Sequence, residues 1–349
     1  MRIAVLNAQV PFISGGAEIL ASNLVNALRE AGHQAELVTL PFKWYPARTL
    51  LDHMTMARLV DLTESNGNQI DRVIGLKFPA YLVPHPCKVL WLLHQHRTAY
   101  DLWNHPRLSD LILDPEGMAV RDAIHEADRR WIPEAQSVYT ISQNVSTRLR
   151  KFCDIESRPL YHPPGHADRF YTEQAEPFLF FPSRINPIKR QSLVIEALAL
   201  TRHPVRVVFA GVPDDPTHLV ELERLCLERG VADRIEWRGR ISDEDKLALY
   251  ARCLGVVYPP LDEDYGYVTL EAMLARKPVI TTHDSGGPLE FIEERKSGLA
   301  VESTPRGIAA AMDELWSDFP RAARWGDAGR AIYESLGITW QRVVDSLLA

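Results

Sequence analysis

Two glutamates separated by seven residues bracket the segment Glu263-Asp-Tyr-Gly-Tyr-Val-Thr-Leu-Glu271. Ahead of them Val256–Tyr258 reads as a strand followed by the prolines Pro259 and Pro260, and behind them Val268–Ala275 reads as a helix. Gly266 lets the backbone turn tightly and come close to a ligand. A helix starting near Tyr267 offers N–H groups and the positive end of its dipole to a diphosphate. Glu263 then lies in the loop before that helix and Glu271 about one turn inside it. Both carboxylates can face one cleft and accept hydrogen bonds from separate diols. By themselves, two glutamates at this spacing fit a solvated loop and a solvated helix face equally well.

Two cations change that balance. Arg184 and Lys189 stand in Ser183-Arg-Ile-Asn-Pro-Ile-Lys189, just past the strand-like run Phe178–Phe181. A strand-to-helix loop is where Rossmann-like domains bind anions, and here Arg supplies a planar fork and Lys a mobile point charge. Either alone reads as a solvated surface charge; the pair, with the glutamates, favours phosphate. Gly15 and Gly16 occupy the loop after the first strand, ahead of a helix, without completing a G-x-G-x-x-G fingerprint. His94 directly follows the strand-like Val89–Leu93. Alone it reads as structural or solvated, and His96 is close enough to be confused with it, while Arg97 suits an acceptor contact.

The elements that must position these residues alternate along the whole chain. Ile3–Leu6 is followed by a helix with Ile19, Leu20, Leu24 and Leu28 spaced three and four apart, which stops at Gly32. Ala35–Leu40, Val73–Leu76, Val89–Leu93 and Val138–Ile141 read as further strands, continuous apolar runs that suit a parallel sheet covered on both faces. Arg158–Pro177, with four prolines and Gly165, interrupts regular structure and reads as a linker. Then come Phe178–Phe181, Val205–Ala210, Ile235–Trp237, Val256–Tyr258 and Val279–Thr282 as strands, with Arg190–Leu200, His218–Glu228 and Asp243–Arg252 as helices. The expected division is an N-terminal domain over 1–160, a linker over 161–176, a second domain over 177–335 and a C-terminal helix over 336–349 that packs back on the first. No internal repeat stands out.

With 349 residues and 46% hydrophobic content the chain suits two ordinary domains with real cores. A formal charge of -7, from 46 acidic and 39 basic residues, argues against a general nucleic-acid binder. Cys87, Cys153, Cys226 and Cys253 show no paired ligand spacing and read as reduced, mostly buried thiols of a cytoplasmic protein. MRIAVLNAQV lacks the long apolar region of a secretory signal, and no stretch reaches the ~18 apolar residues of a membrane span. Asn144-Val-Ser146 matches a glycosylation acceptor that stays idle in such a chain.

At this point the second half resembles the GT-B family 4 of retaining glycosyltransferases, the glycosyl transferases group 1. Pro182-Ser-Arg-Ile-Asn-Pro-Ile-Lys189 is similar to that family's strand-and-cation segment. Trp237-Arg-Gly-Arg-Ile-Ser-Asp-Glu-Asp-Lys246 is similar to its base-binding segment. Glu263–Glu271 with Ala272-Met273, Lys277-Pro-Val-Ile280 and the loop Ser285-Gly-Gly-Pro288 resembles its E-x7-E element. The first half matches more loosely, through Gly15-Gly-Ala-Glu18 and the histidine after Val89–Leu93.

The resemblance implies an α/β GT-B fold, two Rossmann-like domains facing each other across a cleft. It implies Glu263 on hydroxyls of the donor sugar, Glu271 on the ribose, and Arg184 and Lys189 on the diphosphate. It also implies Arg240 and Ile241 beside the base, with Gly266 and the N–H groups of Tyr267, Val268 and Thr269 completing the diphosphate cradle. Gly15 and Gly16 would approach the diphosphate and the acceptor, and His94 the reacting sugar. The expected activity is retaining transfer of a hexosyl group from a UDP- or GDP-hexose to a glycan, lipid-linked or small-molecule hydroxyl. A nucleotide-sugar 2-epimerase of the same fold and a non-catalytic nucleotide-sugar-binding protein are the alternatives. No cofactor or metal is expected, and contact with the inner face of a membrane fits the lipid-linked case. His94-Gln-His96 lacks third and fourth ligands, and Asp262-Glu-Asp264, a D-x-D pattern, overlaps the better E-x7-E match. Phe42-Lys-Trp-Tyr45 reads as a surface loop more than as a membrane or acceptor contact.

Overall fold

A computed structural model describes residues 1–13, 15–106 and 108–349, and among these the chain forms two compact units. One comprises Met1–Gly165 together with Thr339–Ala349, the other His166–Ile338. The first unit contains β1 (Arg2–Gln9), α1 (Gly16–Glu30), β2 (Gln34–Pro41), α2 (Thr49–Leu59), and the small hairpin β3 (Glu64–Ser65) and β4 (Asn68–Gln69). It continues with β5 (Arg72–Lys77), β6 (Lys88–His94), α3 (Gly117–Trp131), β7 (Ser137–Thr140), α4 (Gln143–Cys153) and β8 (Arg158–Pro159). The second contains β9 (Leu179–Pro182), α5 (Gln191–Leu198), β10 (Val207–Ala210), α6 (Pro216–Glu228), β11 (Ile235–Trp237) and α7 (Asp243–Arg252). It is completed by β12 (Gly255–Val257), α8 (Tyr267–Leu274), β13 (Val279–Thr282), β14 (Gly298–Val301), α9 (Pro305–Trp316) and α10 (Phe319–Ser335). A final helix, α11 (Trp340–Leu348), belongs to the first unit.

Each unit is built on a six-stranded sheet with parallel pairings, in the orders β2-β1-β5-β6-β7-β8 and β11-β10-β9-β12-β13-β14. Both sheets are of Rossmann type, and the second has the order 3-2-1-4-5-6. In such sheets ligands gather outside the carboxyl ends of the strands where the order reverses. In the second unit that point lies between β9 and β12; in the first it lies between β1 and β5.

The apolar faces explain the layering. Ala4, Leu6 and Ala8 of β1 bury one face of the first sheet against Met54 and Ala57 of α2 and Val120 and Ile124 of α3. The opposite face carries Trp91, whose indole N–H donates to the Leu160 carbonyl at 3.1 Å and whose ring meets Trp340 edge-on at 6.3 Å. Val343, Val344 and Leu347 of α11 are buried there, each contributing about 1.5–3 kcal/mol. Arg72 further ties the end of α11 by donating to the Leu347 carbonyl at 2.7 Å.

Three expectations change. Ile19 is 52% exposed, because at 100° per residue it falls beside the stripe formed by Leu20, Leu24 and Leu28. The stretch 158–177 opens with β8, a regular element, and its later backbone is bonded into the second unit, with Glu173 and Glu176 N–H donating to the Ala251 and Arg252 carbonyls at 2.9 and 2.7 Å. Proline there removes donors without removing the need of neighbouring amides for partners. Several strands also shift by one or two residues, as Val205–Ala210 becomes Val207–Ala210 where Pro204 and the turn before it delay the ladder. Among the described residues no helix is long and apolar enough to cross a membrane.

Candidate active site

In the second unit the loops after β9 and β12 meet at the reversal of strand order. Asn186 caps the short turn Pro187–Lys189 by accepting the Lys189 N–H at 3.1 Å, and Arg190 then turns through φ +59°. The β12 loop is stitched to it, Leu261 N–H donating to the Ile188 carbonyl at 2.8 Å. On its other side Glu263 N–H donates to the Ser285 carbonyl at 2.9 Å and Gly287 N–H to the Glu263 carbonyl at 2.8 Å. Glu263 therefore has a fixed backbone although it lies outside regular structure.

This stitching brings Lys189 and Glu263 together as an ion pair, both side chains largely buried. Tyr258 joins them: its hydroxyl receives a hydrogen bond from Lys189 Nζ at 2.9 Å and donates to Glu263 Oε2 at 3.1 Å. Burial, and then Glu263, push the Tyr258 phenol well above its ordinary range, with the charge of Arg184 pulling the other way. Arg184 itself is half-exposed and donates to Asp214 Oδ1 at 3.0 Å and Oδ2 at 3.2 Å, the latter also receiving a hydrogen bond from the Asn186 amide at 2.9 Å. The two cations of the loop thus each hold a carboxylate, one exposed and weakly held, one nearly buried.

Gly266 begins α8 at φ +81°, and a Cβ there would lie 2.7 Å from Pro288 Cγ. Conformation and contact both require glycine. Having no side chain, Gly266 leaves the positive end of α8 without a capping oxygen, and no acidic residue stands in the first turn formed by Tyr267, Val268 and Thr269. The Thr269 hydroxyl is buried without a hydrogen-bond partner. Glu271, one turn further, is buried as well, and its two oxygens are met by Lys246 Nζ at 2.9 Å and the Tyr250 hydroxyl at 2.7 Å. Burial and then Glu271 hold the Tyr250 phenol far above its usual range. Arg240 is exposed and Ile241 half-buried in the stretch between β11 and α7, where the Gly239 carbonyl accepts the Gly211 N–H at 2.8 Å.

In the first unit, Gly15 precedes α1 and Gly16 is its first residue; the Gly15 N–H donates to Glu18 Oε2 at 2.8 Å. Gly15 is extended (φ -153°), and an added Cβ would meet only Glu18 Oε2, at 3.6 Å, so its backbone does not demand glycine. Across the β1/β5 reversal, Lys77 lies 4.0 Å from Glu18 and pairs in register with His94 at the end of β6. His94 Nδ1 is 2.6 Å from the Gln95 carbonyl. That oxygen only accepts, so Nδ1 carries the hydrogen and Nε2 is the basic nitrogen of the neutral ring. His96 departs from His94: its ring lies against Phe42 and Phe78, and burial, then His94 and Lys77, bring its pKa down to about 3. Behind His94, Gln95 donates to the buried Asp128 at 3.1 Å, which also accepts from the Tyr81 and Tyr100 hydroxyls at 2.8 and 2.7 Å. Burial lifts the Asp128 carboxyl to about 6.

Glu263, Lys189 and the start of α8 are thus assembled at one strand-order reversal, and His94 and Gly15–Gly16 stand at the corresponding end of the other sheet. Tyr258, Tyr250, Lys246, Asp214 and Lys77 escape sequence reasoning. Lys246 and Tyr250 stand one helical turn apart in α7, but nothing local links them to Glu271, 25 and 21 residues away.

Residues 168–332 match the family described as glycosyl transferases group 1. An uncharacterized glycosyltransferase of Methanocaldococcus jannaschii is 30% identical over 98% of this chain and 96% of its own length. The human alpha-1,3/1,6-mannosyltransferase ALG2 is 31% identical over 41% of this chain; the chain spans 37% of that relative's length. Among solved structures, HepE of Anabaena in complex with UDP-glucose aligns over 100% of this chain and 98% of its own with a TM-score of 0.74 at 18% identity.

Proposed function

The chain belongs to the glycosyl transferases group 1, with their GT-B fold, and on that premise we propose that it moves a hexosyl group from a UDP- or GDP-hexose to a hydroxyl of a glycan, lipid-linked or small-molecule acceptor, with retention at the anomeric carbon. The observation that carries this reading is the meeting of Lys189, Glu263 and the uncapped start of α8 at the β9/β12 reversal. The UDP-glucose bound by HepE and the mannosyl transfer of ALG2 support a nucleotide-activated hexose as donor.

In this reading the diphosphate takes the place of the internal carboxylates on Lys189 and Arg184. Their charges and the N–H groups of Gly266, Tyr267 and Val268 stabilise the leaving group as its bond to the anomeric carbon lengthens; the Thr269 N–H, expected in this cradle, instead closes the first turn on the Gly266 carbonyl at 3.0 Å. Glu263 accepts from hydroxyls of the sugar, and Glu271, held by Lys246 and Tyr250, accepts from the ribose. Arg240 and Ile241 flank the base through backbone groups. His94 and the Gly15–Gly16 loop keep the roles that the resemblance implies, near the reacting sugar and the diphosphate. The acceptor oxygen bonds to the anomeric carbon from the side of the leaving group, the carbon–phosphate oxygen bond breaks, and the acceptor proton passes to the departing phosphate. Leaving-group charge is assigned to these residues and to no divalent cation, and an acceptor in a lipid would bring the protein to a membrane surface.

A thermal-shift series with UDP-, GDP-, ADP- and dTDP-sugars tests the donor, because a ligand bound only by the folded state raises the melting temperature with its concentration. No shift with any of them overturns the reading. An inverted anomer in the product, seen by NMR, overturns retention, and donor consumed without a glycosylated product points to the epimerase chemistry instead.

A further inference from the structure

Tyr258 is the first residue beyond β12, and its main chain is locked on both sides. Its N–H donates to the Ile280 carbonyl at 2.8 Å, and its own carbonyl accepts from the Thr281 hydroxyl at 2.7 Å. The ring is buried edge-on against Phe181 at 5.9 Å. Packing of this kind is equally satisfied by phenylalanine, and a buried hydroxyl is costly unless bonded. The hydroxyl therefore has to be explained by its partners, and both belong to the donor site.

The direction of those bonds follows from their chemistry. An ammonium has only hydrogens to offer, so Lys189 donates to the phenol oxygen, at 2.9 Å. The single phenol hydrogen then goes to Glu263 Oε2, at 3.1 Å. Burial keeps that hydrogen on the phenol at any ordinary pH. Lys189 and Tyr258 thus hold the same oxygen of Glu263, one by a mobile side chain, the other by a ring that cannot swing. A diphosphate arriving at Lys189 competes for the first hold only.

We propose that Tyr258 is a positioning residue of the donor site, whose hydroxyl keeps Glu263 aimed at the hydroxyls of the donor sugar while Lys189 is engaged by the diphosphate. The inference rests on the reading of Lys189 and Glu263 given above. It separates two parts of donor recognition that the resemblance assigns to different residues: nucleotide affinity does not pass through Tyr258, and the sugar's share of affinity does.

The experiment is calorimetric titration of Tyr258→Phe, which retains the ring, with a nucleoside diphosphate and its hexose derivative, UDP and UDP-glucose or GDP and GDP-mannose. Affinity for the bare diphosphate stays within about two-fold of the unaltered protein, whereas affinity for the sugar nucleotide and 1/KM fall by about ten-fold, the scale of a lost hydrogen bond to a charged group. In a Glu263→Ala background, where the hydroxyl has no side chain left to aim, the same change has no further effect. Equal losses for diphosphate and sugar nucleotide, no loss for either, or full additivity with Glu263→Ala overturns the proposal and leaves the donor-site reading standing. Failure of the unaltered protein to bind any sugar nucleotide overturns that reading and this proposal together.

Discussion

The Tyr250 hydroxyl donates to Glu271 Oε2 at 2.7 Å, joining the third turn of α7 to the second turn of α8 through a fully buried phenol. Glu271 is therefore a structural bond between two helices before any nucleotide is bound. Tyr250→Phe is expected to lower the melting temperature and weaken nucleotide binding together, since about 1–3 kcal/mol attends a buried carboxylate oxygen left without its donor. Differential scanning calorimetry with and without UDP or GDP checks this; a variant that loses neither stability nor nucleotide affinity contradicts the role given to the pair.

The two glutamates are expected to separate in kinetics. On the proposed roles, Glu263→Gln lowers kcat and the sugar-dependent part of binding, while Glu271→Gln lowers affinity for the nucleotide itself by about ten-fold, the scale of the charged hydrogen bond proposed to the ribose. Titration of both variants with the bare nucleoside diphosphate decides the matter, and an equal loss in the two counts against the division of labour.

Gly266→Ala places a side chain at φ +81° and 2.7 Å from Pro288 Cγ. The left-handed conformation alone costs about 1–2 kcal/mol, and the overlap adds to it. The melting temperature of the second unit should drop by roughly 4–8 °C for a loss of about 2 kcal/mol, and donor binding should fall with it. A variant as stable as the parent refutes the claim that this turn requires glycine.

Asp128 gives a pH signature in the first unit. Its carboxyl moves from 3.8 to about 6 on folding, chiefly through burial, against the pull of Tyr100, Tyr81 and Gln95. An acid whose folded pKa is raised contributes stability fully below the unfolded value and loses it as pH rises through the folded one. Relative to Asp128→Asn, whose amide does not ionise, the parent should lose about 2–3 kcal/mol between about pH 4 and pH 7. Urea unfolding of both proteins across that window measures the difference. Parallel stability curves are the contrary result.

What the sequence made legible was what lies close together along it. Glu263, Gly266 and Glu271 share one short segment, and Arg184 and Lys189 another, so their relation to a strand end and a helix start could be read from spacing alone. Their partners could not. Asp214 reaches Arg184 from the loop after β10, and Lys246 and Tyr250 reach Glu271 from α7, contacts created by the order in which strands enter the sheet. Tyr258 looked like the last residue of an apolar strand, because the ladder residues before it are buried hydrophobics and only the fold reveals what its hydroxyl meets. Ile19 failed for a different reason: one-dimensional spacing blurs residues that are about 100° apart around a helix.

The return of α11 has a consequence for how the protein is made. Trp340, whose ring meets Trp91, and the buried Val343, Val344 and Leu347 all lie in α11, whereas the rest of the first unit ends at Gly165. During synthesis the second unit, contiguous in sequence, emerges whole before the first has received its last helix. A nascent chain stalled anywhere before Thr339 therefore lacks the apolar face of α11 on its earlier-made unit, and what that helix would bury there is left for chaperones to occupy until translation supplies it.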